Sequence, residues 1–73
     1  MEIVDSARKR AIADRDLIHA VDNAIRVHVM DGYLMLIGPA HDGELLEIGY
    51  NPTTDRIFHA MPARPKYLKG GDT

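Results

Sequence analysis

The chain contains no cysteine. That excludes disulfides, thiolate metal sites and cysteine nucleophiles. Its four histidines lack the tight spacing of a zinc site, so neither a metal nor another cofactor is expected. No apolar run follows the charged start Met1-Glu2-Ile3-Val4-Asp5, which argues against a signal peptide and a membrane span and for a soluble, cytoplasmic protein. The net charge of −2 is too small and of the wrong sign for a general nucleic-acid binder. The loop Gly38-Pro39-Ala40-His41-Asp42-Gly43 lacks the setting and the Lys-Ser/Thr ending of a phosphate loop. There is no internal repeat and no low-complexity tract.

What charge there is falls unevenly. Residues 27 to 55 carry five acids and no Lys or Arg, whereas residues 56 to 71 carry four bases (Arg56, Arg64, Lys66, Lys69) and no acid. Either an anion-binding end stands beside an acidic face, or these are simply solvated charges. Seventy-three residues allow one domain, placed at 1–68 with a frayed tail at 69–73. So small a domain buries only roughly 60% of its unfolded surface, and homo-oligomerisation or a partner is the obvious remaining staple.

Local patterns predict an α+β fold. Residues 1 to 5 suit a short edge strand, and Ser6 can cap a short helix over Ala7–Arg10. A second helix is expected over Asp14–Ile25, with Leu17, Ile18, Val21 and Ile25 among the residues on one arc. Four strands follow: Val27–Met30, Tyr33–Ile37, Glu44–Tyr50 and Arg56–Ala60, with Asp31-Gly32 as a hairpin turn. Pro62 and Pro65 stop further pairing, and Ala63–Leu68 suits a helical turn. The expected architecture is two N-terminal helices packed on one face of a mainly antiparallel sheet of four to five strands. Alternation places Leu46, Ile48 and Tyr50 on one sheet face and Leu45, Glu47 and Gly49 on the other. Leu46 and Ile48 should meet Leu17, Val21 and Ile25. The Glu47 face should lie open or under a partner, with Glu47 a solvent- or partner-facing charge rather than a catalytic carboxylate.

The stretch from Arg56 to Leu68 carries the chemistry. Cleaving RNA without a metal needs a base for the ribose 2′-hydroxyl, a fixed cation for the phosphate and an acid for the leaving oxygen. His59 can serve as base or acid, Arg64 as a phosphate clamp, Lys66 as added charge, and Tyr67 as stacking surface or proton donor. The plain alternative has Tyr67 packed over the sheet, Arg64 and Lys66 solvated and His59 ending a strand. Arg8-Lys9-Arg10 can touch phosphates or be a solvated helix end, and Arg56 is a further candidate for RNA contact. His19, His28 and His41 read as surface residues. A DNA-reading helix-turn-helix is rejected, because Asp14, Asp16 and Asp22 would repel the duplex.

Several segments together resemble a known group: Ala7-Arg8-Lys9-Arg10, Asp14 to Val21, Leu36-Ile37-Gly38-Pro39, Gly43 to Ile48, and Ile57 to Arg64. Over residues 3 to 68 the chain is similar to short RelE/ParE-superfamily toxins of bacterial type II toxin–antitoxin systems, nearest to BrnT-like proteins. The resemblance implies a small sheet with helices on one face, a cognate antitoxin and, as in many members, cleavage of mRNA on the ribosome. Arg64 and Tyr67 match the C-terminal Arg and Tyr used by RelE-like ribonucleases. With the reading of the residues, this makes His59, Arg64 and Tyr67 the catalytic candidates and Arg8, Arg56 and Lys66 the RNA-binding ones. The competing expectation is a non-catalytic inhibitory module that binds protein through its open sheet face.

Overall fold

A computed structural model describes residues 1–69. Strands β1 (Glu2–Ile3), β2 (Arg26–Val29), β3 (Leu34–Pro39), β4 (Leu45–Asn51) and β5 (Arg56–Pro62) form one sheet in the order β1-β5-β4-β3-β2. The meander from β2 to β5 is antiparallel, as its short connections dictate. β1 joins β5 in parallel, with Glu2 opposite Arg56, so the sheet is mixed. Asp31-Gly32 turns the β2–β3 hairpin, with Gly32 at φ 85°.

The two-helix layer is not there. One helix, α1 (Asp14–Asp22), covers the sheet, and the segment expected as a first helix is a single 3-10 turn at Asp5–Arg8. Ser6 does not cap it. Its hydroxyl donates instead to the Phe58 carbonyl of β5, at 2.5 Å, and the chain reverses at Ala11 with φ 53°. Between these two constraints only one turn fits, and one turn closes too few hydrogen bonds to extend as an α-helix. The turn packs on β5 and buries Ala7 completely.

α1 is also shorter than its apolar arc suggests. Asn23 ends it, with both its backbone and side-chain N–H groups donating to the His19 carbonyl. Leu17, Leu46 and Ile48 meet in the main core with Val21 at its margin, as expected. Ile25 does not join them. It lies outside the helix with 62% of its surface exposed.

The opposite face of the sheet is not open either. The chain runs back across it through α2 (Pro65–Leu68), one helical turn led by Pro65. Tyr67 packs there against Met35 and Ile37. The Ala63 N–H donates to the Leu45 carbonyl, and the Arg26 guanidinium donates to the carbonyls of Tyr67 and Lys69. Beyond Lys69 the expected tail lies outside the described residues. Among the described residues no helix is long and apolar enough to cross a membrane.

One group under this segment lacks a partner. The ring of His28 of β2 lies tilted against Tyr67 with centroids 5.3 Å apart, and its buried Nε2 has no hydrogen-bond partner among the described residues. His28→Phe keeps the ring contact and removes the orphaned nitrogen. It is expected to add about 1 kcal/mol of stability, raising the calorimetric midpoint by roughly 4–8 °C. A lower midpoint would show that Nε2 is satisfied in solution.

Candidate functional site

The site is built on the face covered by α2, around Glu47. This carboxylate has no solvent exposure, against the expectation of an outward-facing charge. Alternation did put it opposite Leu46 and Ile48. What covers it is the segment after β5, whose return across the sheet no local pattern announces. Four donors converge on it. The Arg64 backbone N–H reaches Oε1 at 2.9 Å, and the guanidinium clamps the carboxylate through Nε at 3.0 Å to Oε1 and Nη2 at 2.8 Å to Oε2. His59 Nε2 lies 2.8 Å from Oε2. Burial pushes the Glu47 pKa up, but the hydrogen bonds from Arg64 and His59 together outweigh it and bring it down to about 2. The carboxylate is thus an acceptor only, and His59 must donate from Nε2. A neutral His59 ring then keeps a bare lone pair on Nδ1.

A local irregularity sets the position of His59. The β4–β5 register slips at Gly49/Tyr50, where His59 pairs with Gly49 but Ile57 pairs with Tyr50. Phe58 is the extra residue of this bulge, which lets Phe58 and His59 line the same cavity. Gly49 makes the room. A Cβ there would stand 2.9 Å from both His59 Cβ and Phe58 Cζ. Phe58 in turn meets Tyr33 edge to face, centroids 5.3 Å apart.

The result is a cavity of about 540 Å³ with two kinds of wall. His59, Arg64, Lys66 and Lys9 supply the polar, cationic side, and Met30, Tyr33, Met35 and Phe58 the apolar one. Tyr67 lies between them, only 8% exposed, with Arg64 Cζ 5.6 Å and Lys66 Nζ 5.1 Å from its ring centre. The arrangement can attract an anion, present aromatic surface beside it and move a proton through His59.

The structure therefore gathers His59, Arg64, Lys66 and Tyr67, and adds Lys9. It does not bring in Arg8 or Arg56. Arg8 is paired with Asp14, and Arg56 is paired with Glu2 at 2.9 Å at the start of β5. Neither lines the cavity. Sequence alone does not mark Glu47, Gly49 and Phe58 as functional, because a charge in an alternating strand and a glycine beside a bulge look alike in sequence whether or not something packs over them.

The fold and site define a small mixed-sheet α+β domain with a cationic, aromatic-walled cavity, two of whose lining residues, His59 and Arg64, are anchored on a buried carboxylate. No protein-family model, curated protein or solved structure matches the chain.

Proposed function

We propose that this chain is a metal-independent endoribonuclease, the toxin of a cytoplasmic type II toxin–antitoxin pair that cleaves mRNA, ribosome-bound included, and is held in check by a cognate antitoxin. The observation that carries the nuclease is the grouping of His59 and Arg64 on one buried carboxylate at the wall of a cavity that also holds Lys66 and Tyr67. The toxin context rests on the motif resemblance. The fold adds nothing to that context, since the helical layer that the resemblance implied is absent.

In this reading Glu47 fixes the imidazole tautomer, as a carboxylate does for a catalytic histidine. His59 Nδ1 takes the proton from a ribose 2′-hydroxyl, whose oxygen attacks the adjacent phosphorus. The 2′-O–P bond forms, the bond to the 5′-oxygen breaks, and the Tyr67 hydroxyl protonates the leaving oxygen. Arg64, through Nη1, and Lys66 stabilise the charge on the phosphate. The products are a 2′,3′-cyclic phosphate and a 5′-hydroxyl.

Purified protein is expected to cleave single-stranded RNA in EDTA and to leave cyclic phosphate ends. His59→Gln and Arg64→Ala should each slow cleavage about 100-fold or more. An oligonucleotide with 2′-deoxyribose at the cleaved position should resist. Growth arrest on induced expression, relieved by Arg64→Ala, checks the cellular role. A second reading has one observation behind it: Arg64 already spends Nε and Nη2 on Glu47, as a purely structural arginine would. A non-catalytic module that binds protein would arrest growth, or not, with RNA intact, and that result overturns the nuclease.

A further inference from the structure

On the other side of the molecule two histidines from distant parts of the sequence come together. His19 projects from α1 and His41 from the loop between β3 and β4, and their ring centroids lie 4.2 Å apart, tilted by 37°. Each ring is held by the same nitrogen. His19 Nδ1 lies 2.7 Å from the Pro39 carbonyl oxygen, and His41 Nδ1 lies 3.0 Å from Asp16 Oδ1. A carbonyl and an ionised carboxylate can only accept, so both Nδ1 atoms carry hydrogen and both neutral rings leave Nε2 bare. The His41 backbone N–H also donates to Asp16 Oδ1, at 3.0 Å, which pins the loop to the helix. Both rings line a second open cavity, of about 300 Å³, that includes Asp22 and Arg15.

Two imidazoles with Nδ1 tied to an oxygen and Nε2 free show the outer-shell arrangement that orients metal-ligating histidines. We infer that His19 and His41 form a surface site for a borderline divalent transition ion such as Zn²⁺, bound through both Nε2 atoms. Two imidazoles on one tetrahedral ion at about 2.0–2.1 Å place their ring centres roughly 5 Å apart, against 4.2 Å here, so the two rings must open about their Nδ1 anchors to take the ion. Among the described residues no three His, Cys, Asp or Glu side chains are gathered closely enough to complete a shell. Water therefore takes the remaining positions. The carboxylates of Asp16 and Asp22 offset the charge of Arg15 beside the ion. The affinity order should follow Cu²⁺ above Zn²⁺.

Titration of the whole chain with ZnCl₂ at neutral pH, followed by calorimetry and by imidazole ¹⁵N shifts, tests this. One equivalent should bind, moving the Nε2 resonances of His19 and His41 and leaving their Nδ1 atoms protonated. His19→Gln and His41→Gln should each weaken binding at least tenfold. Asp16→Asn keeps both ligands but loosens the His41 ring, and should weaken it about tenfold. Absence of saturable binding, binding that survives His19→Gln, or shifts centred on His28 or His59 would overturn the site.

Discussion

Alanine in place of Gly38 is expected to cost the protein about 3 kcal/mol or more, at the upper end of what overpacking does. A Cβ at Gly38 would stand 1.9 Å from the Ala20 carbonyl oxygen, 2.8 Å from its carbon and 3.1 Å from its Cα. All three are backbone atoms of α1, so no side chain can swing aside. The helix itself must lift off β3. Leu17 and Ala20, both fully buried under it, would then lose contact with Leu46 and Ile48. With total stability on the scale of roughly 4–10 kcal/mol for a chain this size, the denaturant midpoint should fall by a third or more. Gly32→Ala is the control. Nothing lies within 4 Å of a Cβ there, and only the positive φ of 85° is strained, a cost of about 1–2 kcal/mol. Equal losses at the two positions would mean that α1 does not sit as closely on β3 as the structure has it.

Gly38 also shows which parts of this molecule its sequence discloses. The apolar arc from Leu17 to Val21 disclosed a helix, and alternation through Leu46, Glu47 and Ile48 disclosed the two faces of β4. Both patterns are local and periodic. The arc overstates the length of the helix because Ile25 continues it, while the stop signal, Asn23 bonding back to His19, is weak in sequence. The first helix is overstated by the sequence for a related reason. Ser6 looks like a cap, but its hydroxyl is drawn 52 residues along the chain to Phe58. The cationic cluster was legible because His59, Arg64, Lys66 and Tyr67 are neighbours in sequence as well as in space. Arg8 and Arg56 looked equally available until each was found paired with an acid, Asp14 and Glu2. Glu47, the group on which His59 and Arg64 both depend, reads in sequence as a solvent- or partner-facing charge, because its burial depends on Tyr67 and Arg64 folding back from the end of the chain. His19 and His41 meet only because the β3–β4 loop is pinned to α1.

Glu47→Gln is expected to destabilise the protein by about 3 kcal/mol at neutral pH, and to do so less and less as the solution is acidified. The buried carboxylate receives hydrogen bonds from Arg64 N, Nε and Nη2 and from His59 Nε2. An amide keeps the shape but turns one acceptor into a donor. That donor, itself fully buried, faces the N–H groups of Arg64 and His59, and breaking a buried pair costs about 3–5 kcal/mol, the lower end applying because both partners reach solvent. The charge itself can be tested separately. The folded-state pKa of Glu47 is about 2, against 4.5 for an ordinary glutamate. The unfolded chain therefore takes up the proton first. The stabilisation is fully present above about 4.5 and is lost as pH falls through about 2. At about 1.4 kcal/mol per pH unit the window holds roughly 3 kcal/mol, comparable to the cost of the substitution. Urea denaturation of wild type and variant between pH 7 and pH 2 should thus give two stability curves that converge at the acid end, where a protonated Glu47 resembles the amide. A gap that stays constant would mean that the carboxylate charge contributes little to holding Arg64 and His59. In that case Arg64 would be free to turn toward a bound phosphate at little cost. If the curves converge, every Arg64 contact with substrate must compete with Glu47, leaving Nη1 as the nitrogen it can offer.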